Sequence, residues 1–164
     1  MNPLNLSLVA RVRRNHALEH ATIHVLTEKH RSLSVVGRST PSGFYLYGNL
    51  TTEMVVEAAQ EALARLRAGE HHLAIHPKCG TNLVTAGSMA GLATFVVLGG
   101  SKKRRIDLLP SALLAATAAL LLAQPIGPLL QARVTTLADL GDLTIKGVRR
   151  EERRNLMVHF VETG

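Results

Sequence analysis

CGTNLVTAGSMAGLATFVVLGGS (residues 79–101) and LLPSALLAATAALLLAQPIGPLLQA (residues 108–132) decide how this chain folds. Neither stretch contains Asp, Glu, Lys or Arg. Between them stands Lys102-Lys103-Arg104-Arg105, followed by Asp107. A bilayer core takes about 20 consecutive, mostly apolar residues as one helix. Residues 83–100 and 108–122 are the apolar centres, the second extending towards Leu130. Two helices apolar all round could instead sit inside a water-soluble core, but 164 residues leave too little chain to cover both. The expectation is a transmembrane hairpin. Neither stretch reads as a signal peptide, because both are internal and residues 1–14 lack a hydrophobic run of the required length.

Composition agrees with that reading. Apolar residues form 46% of the chain while aromatics form 3% and Trp is absent, so Ala, Leu, Val and Gly supply the apolar content. A disordered chain, a collagen and a disulfide scaffold are excluded, and the lone Cys79 has no partner for an intrachain bridge. The net charge of +7 suits either nucleic acid or an anionic membrane surface. The cations cluster at Arg11-Val12-Arg13-Arg14, at residues 102–105 and at residues 149–154, beside apolar runs or in turns and without stacking aromatics. Contact with anionic lipid headgroups explains them better than nucleic-acid binding, which also lacks any recognisable motif. A lipid bilayer with anionic headgroups is therefore the expected setting. Cations in the hairpin loop and cations on its flanks argue for opposite orientations, which leaves the topology open.

Inside the hairpin, Gly87 and Gly91 form a GxxxG that lets helix backbones approach closely, answered by Ala115, Ala118 and Ala119. That pattern serves hairpin packing or contact with a second copy of the chain. Pro125 and Pro128 are expected to break the second helix near its end, since proline lacks an amide hydrogen and crowds the preceding turn.

The remaining sequence reads as a small α/β unit. Asn2-Pro3 resembles a helix start, and a helical pattern runs to about His30. Residues 33–36 and 43–47 read as strands around a turn at residues 38–42, with Phe44 and Leu46 on one face and Tyr45 and Tyr47 on the other. Thr51 or Thr52 then caps a helix with an apolar stripe of Val55, Ala59, Ala62, Leu63 and Leu66, and Gly69 ends it. Glu61 and Arg65 form an i,i+4 pair on its outer side. Residues 73–76 read as a short strand, and residues 143–148 and 156–161 as two more around a charged turn at 149–154. The fold class is α+β: a small sheet-and-helix domain with an inserted two-helix transmembrane hairpin. Its parts are residues 1–82 with a histidine-rich helix, the hairpin at 83–131, and a C-terminal β-hairpin at 132–164 that completes the sheet.

Chemistry gathers on the first helix. His16-Ala17-Leu18-Glu19-His20 matches H-x-x-E-H. Residues four apart lie one turn apart, so two imidazoles can reach one metal ion. His16, His20 and His24 spread over about 80° of the helix circumference, and Glu19 lies about 60° to the other side of His16. In inverted zincins this spacing gives two zinc ligands and a glutamate general base. A catalytic zinc needs a further protein ligand and an open position. His76 and Cys79, three apart in a turn, are the strongest candidates, with His24, Glu53 and Glu57 as alternatives. His30, His71 and His72 read as solvated, and His159 lies in a strand with no partner legible from sequence.

LEHATIHVL (18–26), GFYLYG (43–48) and HPKCGTN (76–82) together resemble a family of bacterial membrane proteins catalogued only as a domain of unknown function. The resemblance runs from about Arg14 to His159 and implies membrane residence, with no activity attached. Two functions are expected to compete. One is a membrane-bound zinc hydrolase, peptidase-like, with His16, His20 and His76 or Cys79 on Zn2+ and Glu19 activating water. The other is a non-enzymatic membrane module in which the histidines hold a structural metal, a partner or the fold itself.

Overall fold

The computed structural model describes residues 4, 6–99, 105–153 and 156–164. The expected helix start at Asn2-Pro3, the cations Lys102, Lys103 and Arg104, and the end of the charged turn at Arg154 lie outside the described residues. The chain divides into two compact units: a head, Met1–His76 with Ala132–Gly164, and a helical unit, Pro77–Gln131.

In the head, helix α1 (Ser7–Lys29) and helix α2 (Thr52–Arg67) pack on a four-stranded antiparallel sheet. The strands are β1 (Val36–Thr40), β2 (Gly43–Tyr47), β3 (Ile145–Arg153) and β4 (Leu156–Thr163), in the spatial order β1-β2-β4-β3. The two halves of the sheet therefore come from opposite sides of the helical unit in sequence, and β4 pairs with β2 at the centre. Strand alternation places Phe44, Leu46 and Val161 towards Leu18, Ala21 and Val25 of α1 and Val55, Ala59, Ala62 and Leu66 of α2. The helices meet the sheet through many alanines, which keeps the layers close. On the opposite face Tyr45 and Phe160 lie 4.6 Å apart, with the Arg149 guanidinium 5.3 Å from the Phe160 ring centre.

Asn15 locks this stack. Fully buried, it donates to the carbonyls of Thr40 (2.8 Å) and Pro41 (3.3 Å), and its Oδ1 accepts from the Thr163 hydroxyl at 2.8 Å. One side chain so ties α1 to the β1–β2 turn and to the end of β4. Helix α2 carries the expected apolar stripe, a Thr51 cap on the Met54 amide and a stop at Gly69 with φ +97°. Its Glu61–Arg65 pair is 3.8 Å apart, and Arg65 also reaches Glu28 on α1 at 2.7 Å.

Several boundaries move from the sequence expectation. The first strand starts at Val36 and runs through Thr40, so the turn contracts to Pro41-Ser42, where the Thr40 hydroxyl donates to the Gly43 carbonyl at 3.0 Å. The third strand begins at Ile145 and absorbs Arg149–Arg153, because β4 pairs with it along that whole length. The expected strand at residues 73–76 is a 3-10 turn, His71–Ala74, followed by extended backbone. Its amides bond locally, Leu73 to Glu70 and Ile75 to His72 (both 3.1 Å). Its Ala74 and Ile75 carbonyls go to histidine rings of α1 rather than to a neighbouring strand.

In the helical unit, α3 (Gly80–Gly99) and α4 (Leu109–Leu130) pack together as an antiparallel pair, with a 3-10 turn at Arg105–Leu108 before α4. Both are long and apolar enough to cross a membrane. Twenty residues of α-helix span about 30 Å, the thickness of a hydrocarbon core. Pro125 and Pro128 do not break α4, which continues through both into a π turn at Gln131–Thr135. Proline's own φ is helical, and just past Pro128 the Gln131 amide meets both the Gly127 and Pro128 carbonyls.

The helix contact also differs from the GxxxG expectation. Open space surrounds Gly87 and Gly91. The buried stripe is Ala112, Ala119, Ala123 and Gly127 on α4, with Thr85 on α3. At the base of the pair, Gln131 donates to Asn82 Oδ1 at 2.6 Å, and Asn82 donates to the Pro77 carbonyl at 2.8 Å. A Cβ on Gly127 would overlap the Asn82 carboxamide, so this polar brace requires glycine there.

Candidate metal centre

Helix α1 carries a polar stripe of Arg13, His16, His20 and His24, spaced by three or four residues and therefore on one face. Each member is held by a backbone carbonyl. Arg13 donates to the carbonyls of Arg133 and Thr136, both at 3.0 Å. His16 Nδ1 bonds to the Thr135 carbonyl at 3.0 Å, and His20 Nδ1 to the Ala74 carbonyl at 2.7 Å. His24 uses its other nitrogen, Nε2, on the Ile75 carbonyl at 2.9 Å. A carbonyl oxygen can only accept, so the proton in each neutral ring sits on the bonded nitrogen. The lone-pair nitrogens are then Nε2 of His16 and His20, and Nδ1 of His24. A ring N–H on a backbone carbonyl is how metal-ligating histidines are ordinarily oriented.

The rings form a continuous row. Those of His16 and His20 are 4.3 Å apart and nearly perpendicular. His76 stands 5.7 Å from His20 and 4.9 Å from His24. His20 is 2% exposed, whereas His16, His24 and His76 are half-buried. The structure thus brings His16, His20 and His76 of the sequence-derived set into one row, and adds His24.

Glu19 takes a different path. Only 4% exposed, its carboxylate accepts a hydrogen bond from the Ser39 hydroxyl on β1, and a Cβ on Gly37 would collide with it. Strand β1 and Gly37 are shaped around this side chain, a relation across 18 residues that the helix pattern alone does not show. Cys79 lies in the first turn of the helical unit, half-buried, where its sulfur accepts from the Thr81 amide at 3.4 Å. Glu53 and Glu57 are drawn elsewhere. Glu53 sits in the first turn of α2, where its own backbone amide and the Thr51 hydroxyl hold its carboxyl below the ordinary value. Glu57 lies close enough to Lys29 to favour that ammonium.

His159 is the residue that sequence reasoning missed. It is fully buried beside Leu46, with Nε2 3.3 Å from the Thr52 hydroxyl and Nδ1 without a hydrogen-bond partner among the described residues. Burial first, then the Arg150 charge, pushes its pKa below the ordinary histidine value, while Glu53 pulls the other way. His30, His71 and His72 are exposed, as expected.

A family model spans residues 11–148 of this sequence. The chain belongs to the family described as Domain of unknown function (DUF6391). An uncharacterised protein of Picosynechococcus sp. is 44% identical over an alignment of 96 positions that covers 50% of this chain and 47% of the relative. The chain thus spans about half the length of the curated relative it matches. No solved structure matches this DUF6391 chain.

Proposed function

We propose that this DUF6391 protein is an integral membrane protein whose α+β head holds a transition-metal ion on His16 and His20. The observation that carries the metal reading is the pair of Nδ1–H bonds to the Thr135 and Ala74 carbonyls. They orient both rings in the way that metal-ligating histidines are ordinarily held. Imidazole ligands suit zinc and the other late first-row divalent metals. The membrane reading rests on the helical unit, where Leu83 is 77% and Leu114 73% exposed, with Phe95, Leu92 and Leu113 beside them. Exposed apolar surface on that scale calls for a lipid solvent. Spans in outer membranes are β-barrels, which favours a plasma membrane for a helical pair. The cations at residues 102–105 supply contacts for anionic headgroups.

Of binding and hydrolysis, the geometry favours binding. A general base must face the water that a metal activates, whereas the Glu19 carboxylate is buried and engaged by Ser39. We assign Glu19 to positioning α1 against β1. The test is metal content of detergent-purified full chain, beside His20→Ala and Glu19→Gln. Zinc near stoichiometric in wild type and in Glu19→Gln, and lost in His20→Ala, supports the reading. Metal content unchanged by His20→Ala overturns it. Peptide hydrolysis by wild type that Glu19→Gln abolishes would replace binding with catalysis.

A further inference from the structure

Within the helical unit, a cleft of about 300 Å3 opens where the start of α3 meets the end of α4. Resting on the membrane reading of that unit, we propose that the cleft holds one lipid by an uncharged, hydroxyl-bearing polar end. Its walls are Pro77, Asn82 and Ala86 on one side and Ala123, Gln124 and Pro128 on the other.

The first argument is depth. Asn82 and Ala86 stand in the first two turns of α3, and Ala123, Gln124 and Pro128 in the last turns of α4. The 20 residues of α3 just span a hydrocarbon core, so the ends of the pair meet the layer where lipid chains join their polar ends. The second is charge. None of the six wall side chains is ionisable, so nothing in the walls compensates a phosphate or an ammonium group. The third is an acceptor. Pro128 lacks an amide hydrogen, so the Gln124 carbonyl loses the bond that an α-helix gives it. At the edge of hydrocarbon a backbone acceptor calls for a donor, and a lipid hydroxyl is one. The Gln124 carboxamide, exposed at the rim, can donate to that hydroxyl's oxygen. Water suits the cleft less well. The volume equals about ten waters, each needing two or more polar partners, and half of the walls are alanine and proline side chains without a polar atom.

Native mass spectrometry of the full chain in detergent, titrated with dioleoylglycerol, tests this. Wild type should take up one molecule per chain, at least several-fold more tightly than the acetate ester of the same lipid, which keeps both chains but lacks the hydroxyl. Ala86→Leu and Ala86→Phe fill the cleft progressively and should weaken uptake in that order. Pro128→Ala returns an amide hydrogen to the Gln124 carbonyl and should bring the two probes to equal affinity. Thermal melts check that each variant still folds. Equal affinity of wild type for the two probes, uptake undiminished in both Ala86 variants, discrimination that survives Pro128→Ala, or tighter uptake of dioleoylphosphatidylglycerol each overturns the lipid site and leaves the membrane reading intact. A wild-type chain that fails to float with liposomes overturns the membrane reading itself.

Discussion

Helices α1 and α4 are nearly equal in length, 23 and 22 residues, and are built inside out relative to each other. Helix α1 buries polarity: Arg13, Asn15, Glu19, His20 and Thr22 are all enclosed, each needing a partner inside the protein. Helix α4 buries only Ala112, Ala119, Ala123 and Gly127 and turns its leucines outward. The first arrangement makes sense in a globule surrounded by water, where polar groups are brought inside to specify geometry or hold a ligand. The second makes sense in hydrocarbon, where small residues pack helix to helix and bulk faces the solvent. On the proposed membrane reading, one chain obeys two solvents.

Substitutions that exchange the two logics give the largest effects. Leu114→Arg places a charge on the outward face of α4 and should cost about 3 kcal/mol of insertion free energy, read as a fall in the fraction of protein retained by membranes after alkaline extraction. Were α4 a water-facing helix, the same change would be neutral or improve solubility. In the head, Asn15→Leu strands the Thr163 hydroxyl and the Thr40 carbonyl, and should destabilise by about 2 kcal/mol, seen as a lower midpoint of thermal unfolding. Gly37→Ala drives a methyl into the Glu19 carboxylate. It should cost about 1–2 kcal/mol, and Glu19→Ala, which removes the colliding atoms, should soften that cost in a double-mutant cycle.

The smallest effect concerns pH. His159 has a folded-state pKa below its unfolded value of 6.5, so the unfolded chain binds the proton more readily than the folded one. Its contribution to stability is complete above pH 6.5 and is lost as pH falls towards the folded pKa. Between pH 7.5 and 5, the unfolding midpoint of His159→Gln should therefore fall less steeply than that of wild type. Equal slopes would show that His159 does not feel its burial.

The apolar pair was legible because it depends on run length alone, and α2 because its stripe, cap and glycine stop agree with one another. That Phe44 and Leu46 share one face was legible for the same reason: alternation is local. What stayed hidden depends on distant partners. No local pattern tells that the Ala74 and Ile75 carbonyls are taken by His20 and His24, so residues 73–76 read as a strand. Gly87 and Gly91 show that two helices can approach closely without showing which face does so. Pro125 marks a lost hydrogen bond but not the end of the helix, which continues to a π turn at residues 131–135. The H-x-x-E-H spacing brought His16 and His20 together, as any i,i+4 pair would be. The engagement of Glu19 by Ser39 required β1 to be in place.

Flotation of the full chain with liposomes, after detergent removal and a wash at pH 11, tests the contrast between α1 and α4 most directly. The protein should rise with the vesicles and resist the wash, because hydrocarbon covers the outward leucines of α3 and α4. A chain that stays monodisperse in plain buffer and remains at the bottom of the gradient would contradict this account.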